Sequence, residues 1–170
     1  MGILTIKEKW EKWLEGSVSY ITQEYLTEKY PIHIAEDNFI INSAALPNVQ
    51  LCSIIRQLNE NEAILKDGEL IATRLNERQI EKLINDEEIK ELEGYDLGDA
   101  TFTKLEQLTD LFKLNEAAIR SDFDLITNGR TSAALNESNW VKGVDNIFVE
   151  AGAEVDCSVL NAEAGPIYIG

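Results

Sequence analysis

The segment near the carboxyl end of the sequence repeats every six residues. Val149 and Val155 are six positions apart, and the small residues Ala153 and Val159 follow the same interval. A six-residue period is typical of a parallel β-helix, in which aliphatic side chains stack inward and small residues fit the corners. Residues 167–170 begin what the pattern predicts as the next coil. A solenoid coil cannot bury its apolar face without neighbours, so we expect the sequence to be part of a longer chain.

Composition and charge exclude several classes of protein. The sequence has 170 residues, of which 44% are hydrophobic and 27% charged, which is enough for a globular core. No apolar run approaches the roughly 18–20 residues of a membrane-spanning helix, and residues 1–14 lack the apolar stretch of a signal peptide. We therefore expect a cytoplasmic protein. The formal net charge of −16 argues against binding to nucleic acids or to anionic membranes, although two or three clustered cations would suffice for a nucleotide.

The cysteines and the histidine do not indicate a metal centre. Cys52 and Cys157 lie far apart, neither is part of a C-x-x-C pair, and His33 is the only histidine. A zinc site needs about four such ligands at close spacing, so zinc is not expected. Cys52 falls in an apolar helical stripe and Cys157 in a strand pattern, which predicts that both are small core residues.

A strand, a loop and a helix follow one another in the first half of the sequence. Residues 38–42 form a compact apolar run that predicts a buried strand, and residues 43–48 are small or turn-forming. Asn48 is placed to cap a helix that carries an apolar stripe over residues 51–58. This order predicts a parallel α/β unit, in which ligands bind at the carboxyl end of the strand. Residues 42–48 are therefore a candidate binding segment.

Other elements are predicted from local signals. Capping boxes, amphipathic periods and an Asp-Gly turn are the signals used. The predicted helices cover residues 5–15, 22–29 and 115–123, and two more begin at Asn76 and at Thr103, the latter with Leu105, Leu108 and Phe112 on one face. A strand is predicted over 18–21 and a hairpin over 62–65 and 69–75. Residues 86–93 are predicted to be a solvated acidic insertion.

Six segments taken together resemble a known family. They are residues 2–11, 46–48, 110–112, 122–123, 127–132 and 165–170. With these segments the chain is similar to a bacterial branch of sugar-1-phosphate nucleotidyltransferases, often labelled glucose-1-phosphate thymidylyltransferase-like. That branch is related to the bifunctional N-acetylglucosamine-1-phosphate uridylyltransferase/glucosamine-1-phosphate acetyltransferase. The resemblance covers nearly the whole chain, and its specificity lies in the order and spacing of the segments.

The resemblance implies an α/β chain in two parts. Residues 1–143 would form a Rossmann-like nucleotidyltransferase domain that is incomplete at its amino terminus. Residues 144–170 would form the first coils of a left-handed parallel β-helix like that of trimeric acyltransferases, and the parent protein would be a homotrimer. The implied reaction joins a nucleoside triphosphate to a sugar 1-phosphate and releases pyrophosphate. In that reaction Mg²⁺ and basic residues neutralise phosphate charge.

Two departures from the wider superfamily concern the substrate site. The sequence has no glycine-rich loop for a triphosphate, and Asn42 stands where the superfamily places a metal-binding Asp. An amide is a poorer Mg²⁺ ligand than a carboxylate, so no metal ligand is assigned. Asn42 is a candidate substrate contact at the expected metal position. The alternative is that Asn42 ends its strand and bonds to its own loop, as Asn often does.

A second set of candidates precedes the predicted β-helix. Asn128, Arg130 and Thr131 could line a phosphate or sugar site, because a guanidinium suits phosphate oxygens. The alternative is a polar turn held by an ordinary ion pair. At the level of function, the leading hypothesis is nucleotide-sugar formation. The alternatives are a non-catalytic nucleotide- or sugar-binding module, or a structural module, attached to a β-helix acyltransferase.

Overall fold

A computed structural model describes residues 1–170 and divides them into two units. The sheet unit comprises residues 6–106, and the carboxyl-terminal unit comprises residues 1–5 together with residues 107–170. None of the helices combines the length and the apolar composition needed to cross a membrane. The elements of the sheet unit are α1 (Ile6–Leu14), β1 (Asp37–Ile41), β2 (Ala45–Leu46), α2 (Val49–Arg56), β3 (Glu62–Lys66), β4 (Glu69–Asn76), α3 (Glu77–Ile84), β5 (Glu93–Asp96) and β6 (Thr103–Lys104).

Four strands of the sheet unit form one mixed sheet in the order β1-β4-β3-β5. Strand β4 is antiparallel to both β1 and β3, and β5 is parallel to β3. Strands β1, β3 and β5 therefore run in the same direction, with β4 between the first two. Their carboxyl ends lie along one edge of the sheet. The predicted parallel α/β unit is found only in part, because the antiparallel β4 lies between β1 and β3. Strands β2 and β6 form a separate antiparallel pair.

Local signals explain why the helices and the hairpin form. Asn48 caps α2 by accepting a hydrogen bond from the Leu51 N–H at 2.8 Å, and Asn76 with Gln79 forms a capping box on α3. The Asp67–Gly68 turn between β3 and β4 has positive φ at both residues, 51° and 79°, which suits a tight hairpin. The helices predicted over 5–15, after Asn48 and after Asn76, and the predicted hairpin, are confirmed.

The core of the sheet unit lies between the sheet and α1 and α2. Cys52 is 1% exposed, so its predicted core position is confirmed, and burial raises the pKa of its thiol. Trp10 is 4% exposed and donates from its indole N–H to the Ala45 carbonyl at 3.2 Å. The buried residues of this core are Trp10, Ala45, Leu51, Cys52, Ile55, Leu58, Ile64, Ile71, Ala72 and Leu97.

Three predicted elements are wrong. Residues 18–21 form no strand, and the helix predicted over 22–29 is reduced to a 3₁₀ turn over Glu24–Leu26. The capping box at Thr103 does not open a helix. Thr103 instead pairs with Leu46 in the β2–β6 ladder, and a long-range strand pairing replaces the local cap.

The carboxyl-terminal unit combines helices with two pairs of parallel strands. Its elements are α4 (Asp110–Lys113), α5 (Asn115–Thr127), β7 (Trp140–Lys142), β8 (Ile147–Val149), β9 (Val159–Asn161) and β10 (Ile167–Ile169). The helix predicted over 115–123 is confirmed as α5. Leu108 and Phe112 are each 83% exposed, so they form no core face.

The parallel pairs are related by nearly one fixed interval along the chain. Trp140 pairs with Val159, 19 positions later, and Ile147 pairs with Ile167, 20 positions later. Val149 on β8 is 2% exposed and belongs to the small core that these strands share. Cys157 is exposed with a φ of 51°, so its predicted core position is wrong, because it occupies a turn.

Gly143 is a point of tight packing in this unit. Its φ is 70°, and a Cβ there would lie 2.9 Å from the Ala162 carbonyl carbon. We expect Gly143→Ala to destabilise the carboxyl-terminal unit by at least about 1–2 kcal/mol, because both the left-handed backbone and the contact oppose a side chain. Hydrogen exchange of residues 140–149 and chemical denaturation measure the loss.

Gly129 supplies the control for that substitution. Its φ is 72°, and no atom lies within 4 Å of the position a Cβ would take. Gly129→Ala therefore carries the backbone cost without the contact. Equal losses in the two variants would show that the approach of Ala162 to Gly143 has no energetic weight.

Candidate functional site

Three polar side chains, those of Asn42, Glu69 and Lys104, are in contact where β1 ends, and Lys66 lies at the adjacent end of β3. Asn42 directly follows β1, Lys66 is the last residue of β3, and Glu69, the first residue of β4, is the cross-strand partner of Lys66. Lys104 joins them from β6, where it pairs with Ala45. We call Asn42, Lys66, Glu69 and Lys104 the strand-end cluster.

Both the nitrogen and the oxygen of the Asn42 side-chain amide form hydrogen bonds. Its Nδ2 donates to Glu69 Oε1 at 2.9 Å and to the Leu70 carbonyl at 3.1 Å, and its Oδ1 accepts from the Ala44 N–H at 2.9 Å. The last contact is the bond to its own loop that the sequence offered as the alternative. The first contact ties the loop to Glu69. The substrate role of Asn42 stays a prediction.

Glu69 and Lys104 form an ion pair within the cluster. The pKa of the Glu69 carboxyl is held below its usual range because Lys104, and then Asn42, hydrogen-bond to the charged form. Lys66 donates from Nζ to the Gly98 carbonyl at 2.6 Å. The Lys104 side chain keeps 26% of its surface exposed, and that of Glu69 keeps 49%, so solutes have access to both. The cluster thus carries one net positive charge in a chain of net charge −16.

The donor set of this cluster does not fit Mg²⁺, the cofactor that the resemblance implies. A Mg²⁺ site needs carboxylate and other oxygen ligands in near-octahedral array. The cluster has one carboxylate, which already binds an ammonium group, and the oxygen of Asn42 accepts a backbone N–H. Nowhere in the chain do three or more His, Cys, Asp or Glu side chains form a group that could hold a metal ion.

The second set of predicted site residues lies at the end of α5. Asn128 is the residue after this helix, and Thr131 is exposed. Arg130 donates from Nη1 to the Ile126 carbonyl at 2.9 Å and forms an ion pair with Glu150 through Nη2. The guanidinium therefore binds the last turn of α5 and a carboxylate at once. These are the contacts of the structural alternative, and a substrate role for the three residues stays a prediction.

Aromatic rings extend the surroundings of Arg130. Its guanidinium carbon lies 4.8 Å from the centroid of the Phe148 ring, which stacks on Tyr168 at 5.8 Å. The Tyr168 hydroxyl donates to Glu150, the same carboxylate that Arg130 binds. The side chains of four residues therefore form one connected network, namely Arg130, Phe148, Glu150 and Tyr168.

The acid limb of the stability profile follows from this network. The pKa of the Glu150 carboxyl is lowered from 4.5 because Arg130, and then Tyr168, hydrogen-bond to its charged form. A group with a lowered folded pKa stabilises the fold above its ordinary pKa and loses that contribution as the pH falls through the lowered value. We expect the stability of the carboxyl-terminal unit to decline below about pH 5. Thermal denaturation against pH measures it, and Glu150→Gln should flatten the decline.

At alkaline pH the stability of the same unit depends on pH in the opposite direction. The pKa of Tyr168 is raised from 10.0, mainly because its hydroxyl donates to Glu150. This contribution is complete below the ordinary pKa and is lost as the pH rises through the raised value. Tyr168→Phe should flatten the alkaline limb and weaken the acid limb in part, because Tyr168 is the second cause of the lowered pKa of Glu150. The exposed Glu154→Gln serves as the control, and an unchanged acid limb in Glu150→Gln would contradict the assignment.

Sequence reasoning did not identify Lys66, Glu69 or Lys104. Lys66 and Glu69 flank the hairpin turn that the sequence did predict, so their pairing was accessible from the turn type. Lys104 was not identified because the preceding Thr103 indicated a helix cap, whereas both residues lie on a strand. Only the pairing of β6 with β2 brings it to the cluster.

Comparison with known proteins identifies the family. A family model described as sugar nucleotidyl transferase matches residues 1–131, which include the whole sheet unit and its strand-end cluster. No curated protein and no solved structure gives a match. The match covers well over half of the 170 residues, and the chain belongs to the sugar nucleotidyl transferase family.

Proposed function

We propose that this chain takes part in forming nucleotide sugars from a nucleoside triphosphate and a sugar 1-phosphate. A phosphate oxygen of the sugar 1-phosphate attacks the α-phosphorus, the bond between the α-phosphorus and the bridging oxygen breaks, and pyrophosphate leaves. The observation that carries the proposal is the family match over residues 1–131. We place the reaction in the cytoplasm, where the nucleoside triphosphates are available.

The strand-end cluster supports a phosphate-binding role in this reaction. Carboxyl ends of strands that run in one direction are where α/β proteins bind ligands, and β1, β3 and β5 end at this edge of the mixed sheet. Lys66 and Lys104 place two ammonium groups there, and an ammonium binds phosphate as a point charge. Asn42, which is joined to Lys104 through Glu69, is a candidate substrate contact. Asn128, Arg130 and Thr131 remain secondary candidates, and Arg130 would have to share its guanidinium with Glu150.

The proposal extends to the architecture of the carboxyl-terminal unit. We assign residues 144–170, after the nucleotidyltransferase-like part of residues 1–143, to the beginning of a left-handed β-helix of the acyltransferase type. The two parallel pairs with intervals of 19 and 20 residues support this assignment, because each solenoid coil stacks on the one before it. A β-helix of this type would assemble as a homotrimer. Light scattering of the full-length natural protein tests this, and a monomer at all concentrations would contradict it.

Pyrophosphate release tests the proposed reaction. The full-length natural protein is offered each nucleoside triphosphate with several sugar 1-phosphates, with Mg²⁺ and with excess EDTA. Turnover with one pair of substrates supports the proposal and names the base and the sugar. A folded protein that releases no pyrophosphate with any pair would overturn it.

A non-catalytic binding module is the second candidate function. The observation in its favour is Asn42, which puts an amide where the superfamily carries a metal-binding carboxylate. Under this alternative the protein binds a nucleotide sugar, measured by calorimetry, without turnover. Measurable turnover would exclude it.

A further inference from the structure

We infer that the Lys104 ammonium supplies, at the carboxyl end of β1, the positive charge that a divalent cation would otherwise supply. Phosphate groups would then bind the strand-end cluster without a divalent cation. The inference rests on the proposed function in so far as that function makes a phosphate ester the natural ligand. It starts from the disagreement between the implied Mg²⁺ and the donor set that the chain presents.

The backbone fixes Lys104 beside Asn42. Lys104 pairs with Ala45 in the β2–β6 ladder, and the Leu105 N–H donates to the Ala44 carbonyl at 2.9 Å. Ala45 is 0% exposed, so this ladder is seated in the core. The loop that would carry a metal-binding residue is therefore bonded to the strand that carries the lysine. The positive charge beside Asn42 is therefore supplied by a side chain of the protein itself, that of Lys104.

Glu69 positions the ammonium group. Its Oε2 binds Lys104 while its Oε1 accepts from Asn42, so one carboxylate connects the amide and the cation. An ammonium group has three donor hydrogens, and Glu69 takes one of them. The remaining donors face a partly exposed edge, where a phosphate oxygen can accept them. The same pair explains why the cluster is a poor metal site, since a metal ion would compete with Lys104 for Glu69.

Lys66 gives the cluster its net charge. Lys66 and Glu69 are cross-strand partners in the hairpin, so their side chains share one face of the sheet. The Lys66 ammonium donates to the Gly98 carbonyl, a neutral group that leaves the charge of the ammonium in place. A phosphate approaching an acidic chain needs such a local excess of cations to bind.

Calorimetric titration of the 170-residue chain tests the inference. The probes are inorganic pyrophosphate and each nucleoside triphosphate, in excess EDTA and in excess Mg²⁺. We expect binding in EDTA. Loss of one charge-assisted hydrogen bond weakens binding by about tenfold to a hundredfold, which is the expected effect of Lys104→Gln in EDTA. Lys113→Gln is the matched control, because Lys113 is also ion-paired, at 3.8 Å to Asp110, but lies outside the cluster.

Glu69→Gln provides a variant of opposite sign. The glutamine keeps an oxygen for Asn42 but no longer neutralises Lys104, so pyrophosphate binding should tighten several-fold. This variant decides the matter if Lys104→Gln fails to fold. Binding that needs Mg²⁺, equal affinities for Lys104→Gln and Lys113→Gln, or no tightening in Glu69→Gln would overturn the inference.

The two proposals can fail separately. Pyrophosphate release that requires Mg²⁺ and is unaffected by Lys104→Gln would leave the proposed function standing and remove the role of Lys104. Absence of binding by any probe in both conditions would overturn the inference on its own. The release assay on the full-length protein then decides the proposed function.

Discussion

Ile71→Ala is expected to destabilise the sheet unit by about 2–5 kcal/mol, the usual cost of deleting a large aliphatic side chain from a core. Ile71 is 1% exposed and lies on β4, which is bonded on both sides by β1 and β3. Ile71 itself lies at a β-bulge between Leu70 and Ala72, and both of these neighbours pair with β3, so the backbone on either side of the cavity is held. Urea denaturation followed by tryptophan fluorescence measures the loss, since Trp10 belongs to the same core.

Leu70→Ala is the matched control for that substitution. Leu70 is the preceding residue on the same strand, and it is 36% exposed whereas Ile71 is 1% exposed. We expect a much smaller loss there, because part of the side chain remains in water in the folded state. Similar losses at the two positions would show that the core does not lie on the face of Ile71.

The same substitution bears on the strand-end cluster. The Ile71 carbonyl accepts from the Asn42 N–H at 2.9 Å, so β4 fixes the residue that follows β1. In Ile71→Ala this backbone bond can persist as long as the sheet is folded. Pyrophosphate binding should then be retained at low temperature and lost at the lowered melting temperature of the variant.

Local signals were sufficient to predict those elements whose capping or turn residues lie within a few positions of the element itself. The cap at Asn48, the capping box at Asn76 and the turn at Asp67–Gly68 act within a few residues, and each produced the predicted element. The order of strand and helix predicted a binding segment at residues 42–48, and Asn42 lies in the strand-end cluster, whose binding role stays a prediction.

Long-range pairings account for what the sequence did not predict. Lys104 reaches the cluster through a two-residue ladder with a strand more than half the unit away in sequence, and no local pattern encodes such a pairing. Its neighbour Thr103 carried a helix signal that the ladder overrode. Likewise, the sequence suggested an ion pair for Arg130 but could not name Glu150, which lies 20 residues later.

The periodic segment is an intermediate case. The six-residue spacing predicted parallel stacking near the carboxyl end, and β8 and β10 do stack in parallel. The structure adds the pair of β7 and β9, which begins at Trp140, before the predicted boundary at residue 144. The paired strands are 19 or 20 residues apart, an interval that the six-residue spacing does not give and that only the three-dimensional structure shows.

Asp122→Ala is the second substitution for which we expect a large loss, about 2–4 kcal/mol in the carboxyl-terminal unit. Asp122 lies on α5 and is 2% exposed. One of its oxygens, Oδ2, accepts from the N–H groups of Ile3 at 2.8 Å and Leu4 at 3.0 Å. Removing the carboxylate leaves both donors without this acceptor, and a partly buried N–H without a partner costs more than the bond contributed.

Asp122→Asn separates the acceptor from the charge. Because both N–H groups donate to the same oxygen, an amide oxygen in that place can accept both bonds, although without the charge assistance. We expect roughly half the loss of the alanine variant, or less.

Asn115→Ala, which removes the acceptor of the Gly2 N–H at 2.8 Å, gives the cost of a single uncharged bond on the same segment. Hydrogen exchange of residues 1–5 reports this local release, and global denaturation reports the stability of the unit. Unchanged exchange at Ile3 and Leu4 in Asp122→Ala would mean that the carboxylate does not hold the amino-terminal segment on α5.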